Sequence, residues 1–268
     1  MNRIFIFSLI LFLASSCETV IDVDLDSTEP ALVIEALLQE GTHDFEVKIS
    51  RTQDYFDAEV IPFESQTEVS LSNNLGESWV IPQEDAGLHQ REVSAQSGVL
   101  YTLTVRVDGQ EYQAVSTLPE QVSIDSLTFE YEDANPFLDE GYEVFINFTD
   151  PLEVANFYRV LYDEDGVPQR ESEDYQVVDD QLIDGNEVEL PLFRKTFPPQ
   201  TELLIELRSL NEAGYEYYFS LGDIIGAQNG PGGGNAAPGN PVSNWTGDVL
   251  GYFIAYSSDT IRTVLPER

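Results

Sequence analysis

Three kinds of side chain in this sequence are of types that could carry chemistry: acidic clusters, two histidines and a single thiol. Asp22-x-Asp24-x-Asp26 begins like half a calcium loop, in which carboxylates wrap a hard cation in oxygen. A helix–loop–helix calcium site needs Gly at its sixth position and Glu at its twelfth. Those positions hold Ser27 and Val33, so the segment reads as a solvated tether. Asp163-Glu164-Asp165-Gly166 and Asp179-Asp180 offer carboxylates between loops, but turn chemistry explains acidic residues beside glycine equally well. No metal ligand and no cofactor is assigned. His43 and His89 stand apart from any nucleophile motif and read as strand residues. The sequence has no Gly-x-Ser-x-Gly elbow, no His-Glu-x-x-His and no glycine-rich phosphate loop. With 49 Asp and Glu some close carboxylate pair is inevitable, so no glycosidase-type pair can be named. The expectation is a chain without catalytic residues, and the alternative is a glycan or peptide hydrolase whose site has no signature.

The thiol is Cys17, the only cysteine, which excludes a disulfide within the chain. Before it lie a short basic start, Met1 to Arg3, and a ten-residue stretch, Ile4 to Leu13, interrupted only by Ser8. That length suits a secretory signal and is about half of what a spanning helix requires. Leu13-Ala14-Ser15-Ser16-Cys17 resembles the lipobox of bacterial lipoproteins. The resemblance implies cleavage before Cys17, with a diacylglycerol on its sulfur and an acyl chain on its new amino group. Residues 1–16 are then a signal peptide and 17–29 a lipid-anchored tether. Three acyl chains hold a protein firmly, whereas one gives marginal binding.

The rest of the chain must present whatever the protein binds. Its net charge is −37, from 12 Lys and Arg against 49 Asp and Glu, so phosphate backbones and anionic head groups are repelled. Nucleic acid is excluded as a partner, and membrane contact is left to the lipid on Cys17. Acidity of this degree can signal disorder, but 42% hydrophobic and 11% aromatic residues supply a core.

Period-two patterning predicts a mainly β protein. Ala31 to Leu38 reads as a buried strand, and Phe45, Val47 and Ile49 alternate with polar residues in the next. Val69/Leu71 and Trp79/Ile81 flank the turn Asn73-Asn74-Leu75-Gly76. Tyr101, Leu103, Val105 and Val107 lead to Asp108-Gly109, a strong hairpin signal. Two β-sandwich-like domains are expected: an immunoglobulin-like one over 30–118, and a β-rich one over 119–268. In the second, Tyr142/Val144/Ile146/Phe148 and Leu203/Ile205/Leu207 alternate, and Phe157 to Tyr162 forms another strand. Tyr215, Tyr218, Phe219 and Gly222 recur at helical spacing behind the N-cap candidate Asn211, which predicts one short helix near 211–226. Two final strands, Leu250–Tyr256 and Thr260–Val264, close the chain.

Cys17-Glu18, the acidic alternation to Asp26 and Pro30-Ala31-Leu32-Val33-Ile34-Glu35 resemble the start of a large lipoprotein family of the Bacteroidota, catalogued only as a domain of unknown function. Asp179 to Gly185, the aromatic helix near Tyr218, and Asn240 to Asn244 leading to Leu250-Gly251-Tyr252-Phe253 follow in the same order. Gly230-Pro231-Gly232-Gly233-Gly234 departs from the usual pattern. Members are typically encoded beside TonB-dependent receptors. The resemblance therefore implies a non-enzymatic outer-membrane accessory of such a receptor, serving nutrient capture or uptake. Glu18, Asp22 and Asp24 resemble the acidic export signals of surface lipoproteins, which implies exposure at the cell surface. A structural or adhesive surface protein is the other binding-class reading. Tyr217 lies off the expected helix stripe and Trp245 sits in a polar loop, so these two are the candidate contacts for the receptor.

Overall fold

The computed structural model describes residues 30–53, 63–136, 138–169, 176–193, 195–229 and 239–268. Cys17 and the Asp22–Asp26 tether lie outside the described residues. The protein is mainly β, with two sandwiches and, among the described residues, one helix. The alternation that predicts the strands is also what builds the cores. In β1 (Leu32–Gln39), Leu32, Ile34, Ala36 and Leu38 are buried while the residues between them are half-buried. In β2 (Gly41–Arg51), Phe45, Val47 and Ile49 are buried. Strands β3 (Thr67–Asn73), β4 (Ser78–Ile81), β5 (Gln83–Asp85), β6 (Leu88–Ala95), β7 (Leu100–Val107) and β8 (Gln110–Thr117) follow. Asp108 and Gly109 both have positive φ, 49° and 85°, as the type I′ turn between β7 and β8 requires.

A four-stranded sheet, β4-β3-β7-β8, faces β1-β2-β6-β5 to make the first sandwich, immunoglobulin-like in architecture. The second is built from β9 (Ile124–Glu132), β10 (Gly141–Thr149), β11 (Phe157–Glu164), β12 (Val167–Gln169), β13 (Gln176–Asp179), β14 (Glu187–Pro191) and β15 (Glu202–Leu210). Its three-stranded sheet, β14-β10-β9, covers β11 and β15. Leu118 belongs to the first core and Val122 to the second, so the chain passes between cores over these few residues.

The C-terminal end corrects the assignment of all of 119–268 to one domain. The two expected final strands are one sixteen-residue strand, β16 (Val249–Val264). Its first half runs parallel to β1, from Leu32↔Val249 to Gln39↔Tyr256. Its second half runs antiparallel to β15, from Ser209↔Ser257 to Glu202↔Val264. Phe253 and Ala255 therefore sit in the first core, and Ile261 packs against the second. Ser257-Ser258-Asp259 contains no glycine or proline that would bend the chain, and the ladder continues through it. One nine-stranded sheet, β12-β11-β15-β16-β1-β2-β6-β5 with β13 also on β11, is thus shared by both sandwiches.

At Gly251 (φ +93°) a Cβ would stand 2.2 Å from the carbonyl oxygen of Ile34. Strand β1 can approach β16 this closely only because no side chain intervenes. Gly251→Ala should therefore destabilise the protein by about 1–3 kcal/mol, the scale of a forced backbone conformation. An unchanged melting temperature would contradict this.

Helix α1 (Glu212–Asn229) starts where predicted: the Oδ1 of Asn211 accepts the backbone N–H of Gly214 at 2.9 Å. It lies on the outer face of the shared sheet, where Tyr218 packs with Leu210, Ile254 and Tyr256 at the junction of the sandwiches. Among the described residues no helix is long and apolar enough to cross a membrane.

Candidate functional site

The predicted contact residues separate. Trp245 is 6% exposed and belongs to the first core; its indole Nε1 donates to the carbonyl of Ile34 at 3.0 Å. It is no docking anchor. The polar loop around it is held inward by Asn244, whose side chain donates to the Phe253 carbonyl at 2.7 Å and accepts its N–H at 3.0 Å. Tyr217 is also turned inward, half-buried, with its ring 4.6 Å from that of Tyr252. Helix α1 meets the sheet through Gly214, Tyr217, Tyr218 and Leu221, one residue out of phase with the expected stripe, and Phe219 is left 49% exposed.

The acidic loops also resolve into distinct roles. Asp165 closes the β11–β12 hairpin, its carboxylate accepting the backbone N–H of Glu202 at 2.9 Å. Asp180 instead joins Asp150 and Asp184, with one carboxylate oxygen from each lying within 4.8 Å of the others. This is an arrangement with the ligand types for a hard cation, but each carboxylate already has a protein donor. Asp150, 1% exposed, accepts the Tyr158 hydroxyl at 2.5 Å and the Gly185 N–H at 3.1 Å. Asp180 accepts from Asn156 N–H at 2.7 Å, and Asp184 from Glu153 N–H at 2.8 Å. The three acids clasp the loop after β10 to the loop between β13 and β14. Burial, and then the hydrogen bond to Asp150, push the Tyr158 phenol far above its usual range, so it stays a donor.

The two histidines differ in setting. His89 is buried, with Nδ1 2.9 Å from the Ile81 carbonyl and Nε2 2.8 Å from the Thr67 hydroxyl, tying β6 to β3 and β4. His43 is exposed on β2.

Beside α1, the outer faces of β16, β1 and β2 form a groove of about 360 Å³. Cross-strand register sets its lining: Glu35 stands between Tyr252 of β16 and Lys48 of β2, and Gln39 lies beside Tyr256. The Tyr256 hydroxyl donates to Gln39 Oε1 at 3.3 Å, and the Arg208 guanidinium covers the Tyr256 ring at 4.4 Å. Lys48 lies 3.8 Å from Glu46, so its charge is already partly matched, while Glu35 and Asp44 add negative charge. Burial, followed by the neighbouring phenol of Tyr218 and the carboxylate of Glu35, raises the Tyr252 phenol strongly. Burial likewise raises Tyr256, against the opposing charge of Arg208. Both tyrosines are therefore neutral hydroxyl donors and acceptors at the floor of an acidic trough. Its volume lies within the range of small-molecule sites, and its carboxylates, amide and phenols can hold a neutral or cationic polar ligand by hydrogen bonds. Leu37, Tyr252, Ile254 and Tyr256 on the outer face of β1 and β16 pack with Tyr218 and Leu221 of α1, so their apolarity announces the helix and gives no separate signal of the groove.

No curated protein sequence matches the chain. Among solved structures, a two-domain fibronectin type III segment of chicken tenascin is similar at 12% identity, over 89% of this chain and 100% of that one, with a TM-score of 0.25. At that score the likeness carries no weight, and the fold rests on the sheets described above. Residues 18–262 match the family described as "Domain of unknown function (DUF4249)", and the chain belongs to that family.

Proposed function

We propose that this protein is a lipid-anchored, non-enzymatic outer-membrane accessory of a TonB-dependent receptor, and that it retains a small nutrient in the groove over Tyr252 and Glu35. The groove is the observation that carries the reading. It is a polar, aromatic-floored recess on a rigid sheet, and its residues are suited to holding a ligand rather than activating a nucleophile. The lipobox-like run ending at Cys17 supports anchoring through lipid, the acids Glu18, Asp22 and Asp24 behind it support exposure at the cell surface, and the likeness to lipoproteins encoded beside such receptors supports the partner. The continuity of β16 favours, as a second reading, a stiff spacer in a structural or adhesive surface protein.

Affinity capture of the tagged protein from detergent-solubilised membranes separates the two. The accessory reading expects a TonB-dependent receptor in comparable amount, and the spacer reading expects none. Cys17→Ala should abolish incorporation of labelled fatty acid and move the protein from the membrane fraction to the soluble one. Equal label on variant and parent would refute the anchor.

A further inference from the structure

The outward face of α1 carries Glu212, Glu216, Phe219 and Asp223, all exposed. Phe219 stacks on Tyr215 at 5.6 Å, and Tyr215 packs on Phe157 at 5.1 Å while its hydroxyl lies 3.4 Å from Asp179. Phe157 follows Asn156, which is bonded to Asp180, so this aromatic row continues directly into the clasped loops. There Leu152, Val154 and Leu182 are 66%, 54% and 93% exposed. Segments 150–157, 176–193 and 211–229 together hold nine Asp or Glu besides the buried Asp150, and not one Lys or Arg. The nearby Arg159 is buried beneath the ring of Tyr218, 3.7 Å away, and contributes little outward charge.

Large apolar side chains gathered on a surface and rimmed by charge of one sign mark an interaction site. The sign of the charge names the chemistry of the partner. Anionic lipid head groups are repelled, whereas a basic protein surface is steered in and its apolar residues can cover Phe219 and Leu182. We infer that this end of the second sandwich is the docking face for a basic, apolar-bearing surface of a protein partner. That partner is the receptor; its identity rests on the accessory reading above, while its chemistry rests on the face itself. The three-carboxylate clasp shapes the loops that carry Leu152, Val154 and Leu182.

The test places a photo-crosslinking benzophenone amino acid at Phe219, at Leu182 and, as control, at Val80, an exposed valine of the first sandwich, in the full-length lipid-anchored protein in cells. Adducts at 219 and 182 to one receptor, through a Lys- or Arg-containing peptide and absent at 80, support the proposal. In parallel, the double variant Glu216→Lys, Asp223→Lys should weaken the receptor complex roughly tenfold without changing the melting temperature, and the complex of the parent should weaken with salt. A charge-reversed protein that retains the receptor in full overturns the docking face and leaves the receptor reading standing. Adducts at 219 and 182 to a different basic protein, with no receptor captured by the parent, uphold the face and overturn the receptor. Adducts only at 80, only to lipid, or to a second copy of this acidic chain overturn the face.

Discussion

Replacing Trp245 by alanine should cost about 3–5 kcal/mol of stability, the usual range for deleting a buried tryptophan from a core. Two losses combine. The indole is buried in the first core, in the same cluster as Ile34, Phe253 and Val249, and its N–H is the donor to the Ile34 carbonyl. Trp245→Phe restores much of the apolar volume but leaves that carbonyl without its donor, so about 1–2 kcal/mol should still be lost. Since whole domains are stable by only about 5–15 kcal/mol, the alanine variant should unfold at a clearly lower urea midpoint. A midpoint equal to that of the parent, with receptor binding reduced, would restore Trp245 as a docking residue.

Asp150→Ala should be the next most damaging change, at about 2–4 kcal/mol. It removes the acceptor for two donors, the buried Tyr158 hydroxyl and the Gly185 N–H, and stranding a buried donor costs about 1–3 kcal/mol. Asp150→Asn keeps one carbonyl acceptor and should lose about half as much. The measurement is equilibrium unfolding of parent and both variants, and equal stability of all three would show that the clasp is ornamental. Titrating calcium into the parent tests its other use: a rise in melting temperature that Asp150→Asn removes would make the cluster a cation site.

What was legible in the sequence was local. Tyr101, Leu103, Val105 and Val107 declare both a strand and its buried face, and Asp108-Gly109 declares the turn, because each depends only on neighbours in the chain. Asn211 announces the helix for the same reason. The stripe of that helix is offset by one residue because Tyr215, Tyr217, Tyr218 and Phe219 offer two overlapping apolar stripes, between which periodicity alone does not choose. Close approach chooses it: Gly214 sits against Ile254, where an added Cβ would meet Cγ2 at 3.0 Å. Trp245 looked exposed because its flanks are polar, yet its partner Ile34 is at the other end of the chain. The groove and the acidic clasp were hidden for the same reason: each draws residues from separate segments that only the sheet order brings together.

The shared last strand also fixes when the molecule can finish folding. Strand β1 is made roughly two hundred residues before the partner along its other edge, the first half of β16. Pairings between such distant segments close slowly, because the loop entropy must be lost before any contact offsets it. Until residues 245–264 emerge, the first sandwich lacks Phe253, Trp245 and one side of β1, and the second lacks the pairing to β15. A chain that emerges from its N-terminus thus has no early, self-sufficient N-terminal domain. Both halves need β16 to be complete, and until it is in place the edge of β1 stays open to pairing with other chains.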